Sequence, residues 1–259
     1  MSQTLVVVPV YSHWDYALKT VESLYRATRS TFFDHQNSVD CVVYDDGSPD
    51  YTAERERELL AVDPRVSFYR YANNAGMTRS WNAGLALARY LGREFCCLAN
   101  SDLLFTPGWD TWLRDACKDH ALTGPVSNAA GHTSRFQDVA LYAKDYKLSD
   151  DWADLCRTAD ELRVTQLGKV VPARVNGFCM MTRTEVAWRH AFDADNVFDP
   201  SCPMAGNEDR LQDRWKKAGL RFAVVPSSYV FHYRSVTRGD RYKKGRWMRM
   251  PQTPKRGEL

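Results

Sequence analysis

The 259-residue chain is 44% hydrophobic and 26% charged with a net charge of +3, a balance that fits a globular protein with a sizeable core and excludes a disordered or fibrous one. No apolar run nears the roughly 20 residues of a membrane span, and the run at residues 5–10 lacks the basic lead-in of a secretory signal. A cytoplasmic protein is therefore expected. The seven cysteines include no CxxC pair, so they are read as reduced thiols rather than as a zinc or redox motif. Charge is uneven: residues 234–259 hold nine Lys/Arg against two Asp/Glu, about +7, which leaves about −4 for the rest of a +3 chain.

Taken in order, Leu5-Val6-Val7-Val8-Pro9-Val10 has the β-branched continuity of a central parallel strand buried on both faces, with Pro9 expected to stop its pairing. Leu18, Val21, Leu24 and Tyr25 then recur at helical spacing, which makes residues 11–13 a strand-to-helix loop. A second strand at 39–44 ends in Asp45-Asp46-Gly47-Ser48. Adjacent carboxylates there can accept the N–H of a bound base, hold a donor of their own loop, or cap the following helix at 54–60. The Glu/Arg run at 54–58 reads as a solvated helix face. Residues 66–71 alternate like a more exposed strand, and past Gly76 a stripe of Met77, Trp81, Leu85 and Ala88 predicts a helix. Arg79 and Asn82 fall off that stripe and can face a nucleotide or its phosphates, or plain solvent.

The central feature is Phe95-Cys96-Cys97-Leu98-Ala99 running abruptly into Asn100-Ser101-Asp102. A buried strand that delivers polar groups at its carboxyl end meets the edge where open α/β sheets bind ligands. Asn100 and Asp102 share one side of an extended chain. A hard divalent cation that also takes phosphate oxygens needs only one or two protein carboxylates, so Asp102 is a metal candidate; an Asx turn is the plain alternative. Residues 121–128 read as a short strand with a polar loop, 131–170 as an irregular insertion with a helix at 149–162, and 175–182 as another strand entered through Asn176-Gly177. Asn207 is a good helix cap for a helix running to 218, and Glu208 and Asp209 in its first turn either complement the helix dipole or supply a general base. A strand at 221–225 and a short apolar run at 228–231 lead to His232, a structural histidine or a neutral imidazole that completes a metal site with Asp102.

The order of these motifs resembles the family 2 glycosyltransferases of GT-A fold: Val8-Pro9-Val10-Tyr11, Asp45-Asp46-Gly47-Ser48, Asn74-Ala75-Gly76 with Asn82-Ala83-Gly84, Asn100-Ser101-Asp102, Thr106-Pro107-Gly108-Trp109, Gly124-Pro125-Val126-Ser127-Asn128, Asn176-Gly177-Phe178, Gly206-Asn207-Glu208-Asp209 and His232. The Asn-Ser-Asp and Gly-Pro-Val-Ser-Asn versions look most like the rhamnosyltransferase-like branch. The resemblance implies a Rossmann-like α/β single domain over 1–233, with a mixed, mostly parallel sheet flanked by helices. Residues 1–102 would be the nucleotide-binding half, 103–233 the acceptor and catalytic half, and 234–259 a basic tail. It implies an inverting hexosyl- or deoxyhexosyl-transferase with Mn2+ or Mg2+ and a UDP- or dTDP-linked sugar donor. By that likeness Pro9, Val10, Tyr11, Asp45, Asp46, Arg79, Asn82, Asn100 and Ser101 line the donor, Asp102 and His232 bind the metal, and Asp209, or else Glu208, is the base acting on an acceptor glycan or other hydroxyl. Two positions depart from the pattern: Asn100 stands where the first Asp of a DxD motif is usual, and Trp81 where an Arg is frequent.

The tail supports a second class of reading. Tyr242 and Trp247 interleave with its basic residues as stacking and phosphate-binding surfaces do, so 234–259 could dock DNA or an anionic membrane surface, in an active transferase or in a non-catalytic relative. A tail that wraps the acidic body of its own chain accounts for the charge equally well.

Overall fold

A computed structural model describes residues 3–29, 39–131, 134–204 and 206–233. The basic segment 234–259, and with it the expected DNA or membrane docking, lies outside the described residues. The first half alternates strand and helix: β1 (Thr4–Val10), α1 (Trp14–Arg29), β2 (Val39–Asp45), α2 (Ala53–Ala61), β3 (Val66–Arg70), α3 (Met77–Tyr90) and β4 (Phe95–Ala99). The second half adds β5 (Leu103–Phe105), α4 (Thr111–Ala116), β6 (Leu122–Val126), α5 (Trp152–Thr165), β7 (Val171–Pro172), β8 (Cys179–Arg183), α6 (Thr184–Arg189), α7 (Asn207–Lys217) and β9 (Phe222–His232). The strands form one mixed sheet in the order β3-β2-β1-β4-β8-β6-β9-β5, with β7 beside β9. β1 to β4 are mutually parallel, β6 and β9 run the same way, and β5, β7 and β8 run against them. The carboxyl ends of β1, β2, β4, β6 and β9 therefore share one edge.

The core follows from period-two alternation in the central strands. Val6 and Val8 of β1 and Cys97 of β4 pack under α1 with Val21 and Leu24. Leu5, Val7, Cys96 and Leu98 face the other way, onto Trp81 and Leu85 of α3 and Trp215 of α7. Each such Val or Leu contributes about 1.5–3 kcal/mol when fully buried. A third cluster joins Leu155 and Leu162 of α5 to Val224, Tyr229 and Phe231 of β9. The α3 layer lies close to the sheet because Gly84 faces Val7: a Cβ there would stand 2.4 Å from both valine methyl carbons.

Several sequence expectations change. Pro9 does not end β1; it is the register partner of Tyr44. The Val10 carbonyl accepts from Asp46 on the β2 side, so the imide nitrogen of Pro9 faces β4, where pairing has already stopped at Val7–Leu98. The strand expected at 221–225 and the short apolar run at 228–231 belong to one strand, β9. Val225 pairs with Pro125 and Tyr229 with Val126, so residues 226–228 bulge out of the ladder without ending it. The strand expected from 175 begins only at Cys179, because the Val175 N–H and C=O are both taken by the Gln212 side chain, at 2.8 and 2.9 Å.

Candidate active site

Asp102 and His232, the expected metal candidates, meet at a corner where β4 and β9 end. Leu103 of β5 pairs with His232 of β9, which places the preceding Asp102 against the histidine, and His232 Nε2 lies 3.2 Å from Asp102 Oδ1 with both side chains almost fully buried. The other ring nitrogen, Nδ1, is 3.0 Å from the Ala129 carbonyl oxygen. A carbonyl can only accept, so Nδ1 carries the hydrogen and a neutral ring turns the Nε2 lone pair toward the carboxylate. Two acceptors then face one another, an arrangement that a proton or a cation between them satisfies. A separation of 3.2 Å is also the spacing of neighbouring ligands on one divalent ion with bonds of about 2.0–2.2 Å. The residues present thus fit a hard divalent ion. Among the described residues no group of three or more His, Cys, Asp or Glu side chains converges, so such an ion would draw its remaining ligands from water and a bound diphosphate. The Phe178 ring stacks on His232 at 5.3 Å, and the Asn100 N–H donates to the Phe178 carbonyl at 2.8 Å. Ser101 is buried beside them.

The residues expected at the donor occupy the same edge but are tightly bound to each other. Asp45 is 0% exposed. Its Oδ1 accepts from the Ser48 N–H at 2.9 Å and from the Ser48 hydroxyl, and its Oδ2 accepts from Arg70 Nε at 2.9 Å. Arg70 in turn lies over the Tyr51 ring at 4.3 Å. Asp46 accepts from the N–H groups of Ala75 and Gly76, the latter at 2.7 Å, and from Arg79 at 2.5 Å. It thereby fixes the start of α3, and Arg79 spreads over Tyr71 at 3.6 Å. Asn82, also expected at the donor, is turned into the protein: it accepts from the Val197 and Phe198 N–H groups and donates to Asn196 Oδ1 and the Phe198 carbonyl. Pro9 and Val10 are buried strand residues, whereas Tyr11 is 42% exposed at the edge. Next to it Ser12 and His13 both have left-handed backbones, φ 58° and 57°, conformations that cost of order 1–3 kcal/mol each outside glycine. The Ser12 N–H is held by the Ser48 hydroxyl at 2.9 Å.

α7 carries the two acidic candidates to this edge on different sides. The Glu208 carboxyl rests against Gly177, within 3.0–3.3 Å of where a Cβ would stand, one residue from Phe178. Asp209 is 38% exposed and 3.7 Å from Arg174 Nη1, too far for a hydrogen bond, while Arg174 is held closely by Asp213. Arg70, which no sequence pattern singled out, is brought to Asp45 by the β2–β3 register; Asn128, the last residue of the Gly124–Asn128 motif, and the following Ala129 are brought to His232 by the β6–β9 pairing. Neither pairing leaves a signal in local periodicity. Asn176 is bound by Gln137, whose Oε1 accepts from its N–H at 2.6 Å and its Nδ2 at 2.9 Å.

The family model for "Glycosyl transferase family 2" matches residues 5–190, more than half of the chain. That span includes Asp45, Asp46 and Asp102 and stops before α7 and His232. No curated protein sequence matches this chain. Among solved structures, S. aureus TarS (residues 1–349) superposes with a TM-score of 0.58 at 15% identity, covering 90% of this chain and 60% of that one. GalNAc-T7 with UDP, GalNAc and Mn2+ superposes with a TM-score of 0.61 at 15% identity, covering 89% of this chain and 43% of that one. Both likenesses concern the fold, and this chain spans less than two thirds of either neighbour's length.

Proposed function

The chain belongs to glycosyl transferase family 2, and from that premise we propose that it moves a sugar from a UDP- or dTDP-linked donor to an acceptor hydroxyl with inversion, using Mn2+ or Mg2+ held by Asp102 and His232. The observation that carries this reading is the buried Asp102–His232 pair, 3.2 Å apart, with His232 Nδ1 3.0 Å from the Ala129 carbonyl oxygen. GalNAc-T7, a neighbour in fold, was crystallised with UDP and Mn2+, which supports the class of donor and metal. When bound, the cation would offset negative charge gathering on the leaving diphosphate.

In this reading Tyr11, with the loops closed by Asp45 and Asp46, forms the donor's nucleotide side, and Asn100 and Ser101 line the approach to the corner. Asp209 is the base. It is open to solvent and only loosely neighboured by Arg174, so an acceptor arriving from solvent meets it first, while Glu208 is packed on Gly177. Asp209 takes the proton of the acceptor hydroxyl as that oxygen bonds to the anomeric carbon. The bond from that carbon to the diphosphate breaks on the opposite face, and its electron pair leaves with the phosphate oxygen. The acceptor is a glycan or another hydroxyl-bearing molecule, and deoxyhexose donors belong among the first to try. Buried thiols and a nucleotide-sugar donor suit a cytoplasmic setting; among the described residues no helix is long and apolar enough to cross a membrane.

The test is a panel of UDP- and dTDP-linked hexoses and deoxyhexoses with Mn2+, read as release of the nucleoside diphosphate. One donor should be hydrolysed slowly without acceptor, and Asp102→Ala should abolish this with an unchanged circular dichroism spectrum. No binding or turnover of any donor in the presence of metal would sink the proposal.

A further inference from the structure

The His232 N–H and C=O are bonded by a side chain, while the β5 segment bonds its neighbours, the Tyr233 N–H donating to the Asp102 carbonyl at 2.9 Å. β6 pairs with β9 as far as Val126–Tyr229 and then stops, and the amide of Asn128 takes the next place. Its Oδ1 accepts from the His232 N–H at 2.8 Å and its Nδ2 donates to the His232 carbonyl at 3.0 Å. The amide orientation is fixed from both sides, since the His232 N–H needs an acceptor and its C=O a donor. The hydroxyl of buried Ser127 adds a further hydrogen bond to Oδ1 at 3.2 Å. On the other flank of His232, the Leu103 N–H and C=O turn away to the Thr20 hydroxyl, at 3.0 and 2.9 Å, so β5 does not bond the histidine main chain. The residue after Asn128 supplies the carbonyl that meets Nδ1 at 3.0 Å.

We propose that Asn128 is the positioning residue of the corner: by seating the His232 main chain against its own segment, it presents the Ala129 carbonyl to Nδ1 and so keeps Nε2 free of hydrogen and aimed at Asp102. The inference rests on the reading that Asp102 and His232 hold a divalent cation. A metal-bound histidine needs its other nitrogen hydrogen-bonded, and loss of such an outer partner lowers metal affinity by about 10–100-fold. Ala129 acts through its backbone and no substitution removes its carbonyl; Asn128 is where the arrangement can be broken.

The full chain, labelled with 15N at its histidines and free of metal, is studied at alkaline pH by two-bond proton–nitrogen correlation, with His232→Gln identifying the His232 signals among the six histidines. The wild type should show the Nδ1–H tautomer. Asn128→Ala, which removes both bonds, and the near-isosteric Asn128→Asp, which keeps the acceptor and removes the donor, should shift it toward a mixture. In parallel, free Mn2+ is followed by electron paramagnetic resonance in the presence of UDP, and both variants should bind about 10–100-fold more weakly. An unchanged tautomer and unchanged Mn2+ affinity in folded variants would overturn the role of Asn128, as would an Nε2–H tautomer in the wild type, which needs no variant to fold. Absence of Mn2+ binding by the wild type with UDP would overturn the metal reading instead.

Discussion

Asn207 Nδ2 donates to Thr78 Oγ1 at 2.8 Å, and the same hydroxyl donates to the Cys202 carbonyl at 2.6 Å. Thr78 lies in the first turn of α3 and Asn207 in the first turn of α7, and the Thr78 N–H adds a bond to the Pro203 carbonyl at 3.1 Å. The preceding turn of the chain binds Asp46 through Gly76. One helix start thus touches both the Asp46 loop and the approach to the acidic helix. Thr78→Val keeps the shape but leaves buried polar groups unpaired, so we expect a loss of about 1–3 kcal/mol in urea unfolding and a fall in kcat with little change in donor KM. Thr78→Ser should behave like wild type. A Thr78→Val protein of wild-type stability would show that this hydroxyl holds nothing.

Asp209 and Glu208 separate by substitution. Removing a general base typically costs about 10²–10⁴-fold in rate, so Asp209→Asn should lower kcat within that range while donor binding, measured by calorimetry with UDP and Mn2+, stays within a few-fold. Glu208→Gln should cost less, because that carboxyl packs on Gly177. The reverse ranking would transfer the base to Glu208.

Gly84→Ala sets two known effects against each other. Helix propensity favours alanine by about 1 kcal/mol, but the added methyl would meet the Val7 methyls at 2.4 Å inside a fully buried layer. Overpacking of this kind costs about 1–3 kcal/mol, so the steric effect should win and the variant should unfold at lower urea. Combining it with Val7→Ala should recover part of the loss, as a non-additive cycle; strict additivity would mean that the two residues do not press on each other.

Asp63 links α1 to the turn before β3. Its carboxylate accepts from Arg65 at 2.8 and 2.9 Å and from Arg29 at 2.7 Å. Hydrogen bonds from the Arg65 guanidinium hold its pKa well below the usual carboxylate range, against the opposing effect of burial and with help from Arg29. The folded-state pKa is depressed, so the stabilisation is fully present above the unfolded value of about 3.9 and fades as pH falls below it toward the folded value. Asp63→Asn should be less stable than wild type at neutral pH, and the gap should narrow in urea titrations carried below about pH 4. A gap that does not change with pH would remove this ion pair from the account of acid stability.

The sheet's first half was legible because β1, β2 and β4 are apolar runs long enough to be distinctive and α3 carries a clean stripe of Trp81, Leu85 and Ala88. The candidate residues Asp45, Asp46 and Asp102 were legible for a related reason: each follows an apolar strand, so its place at the carboxyl edge comes with the strand. What could not be read depends on pairings between distant segments. Asn82 was expected at the donor or in solvent because local spacing cannot show that residues 196–198 fold onto it. β5 has three residues and exists only against the end of β9. Arg70 carries no signal until β3 is set in register with β2, and the 226–228 bulge hid that the apolar run at 228–231 continues the strand begun at 222.

That late pairing also sets a timetable. Asp45, Asp46 and Asp102 all precede β5 in the chain, yet the partner of Asp102 is the last residue of β9 and reaches it only across the β5–β9 ladder. A growing chain can therefore assemble the Asp45 and Asp46 loops while it is still being synthesised, but it cannot close the corner until residue 232 has been added and its strand has docked. The corner thus waits on β9, and a chain cut short anywhere in that strand would lack His232 beside Asp102.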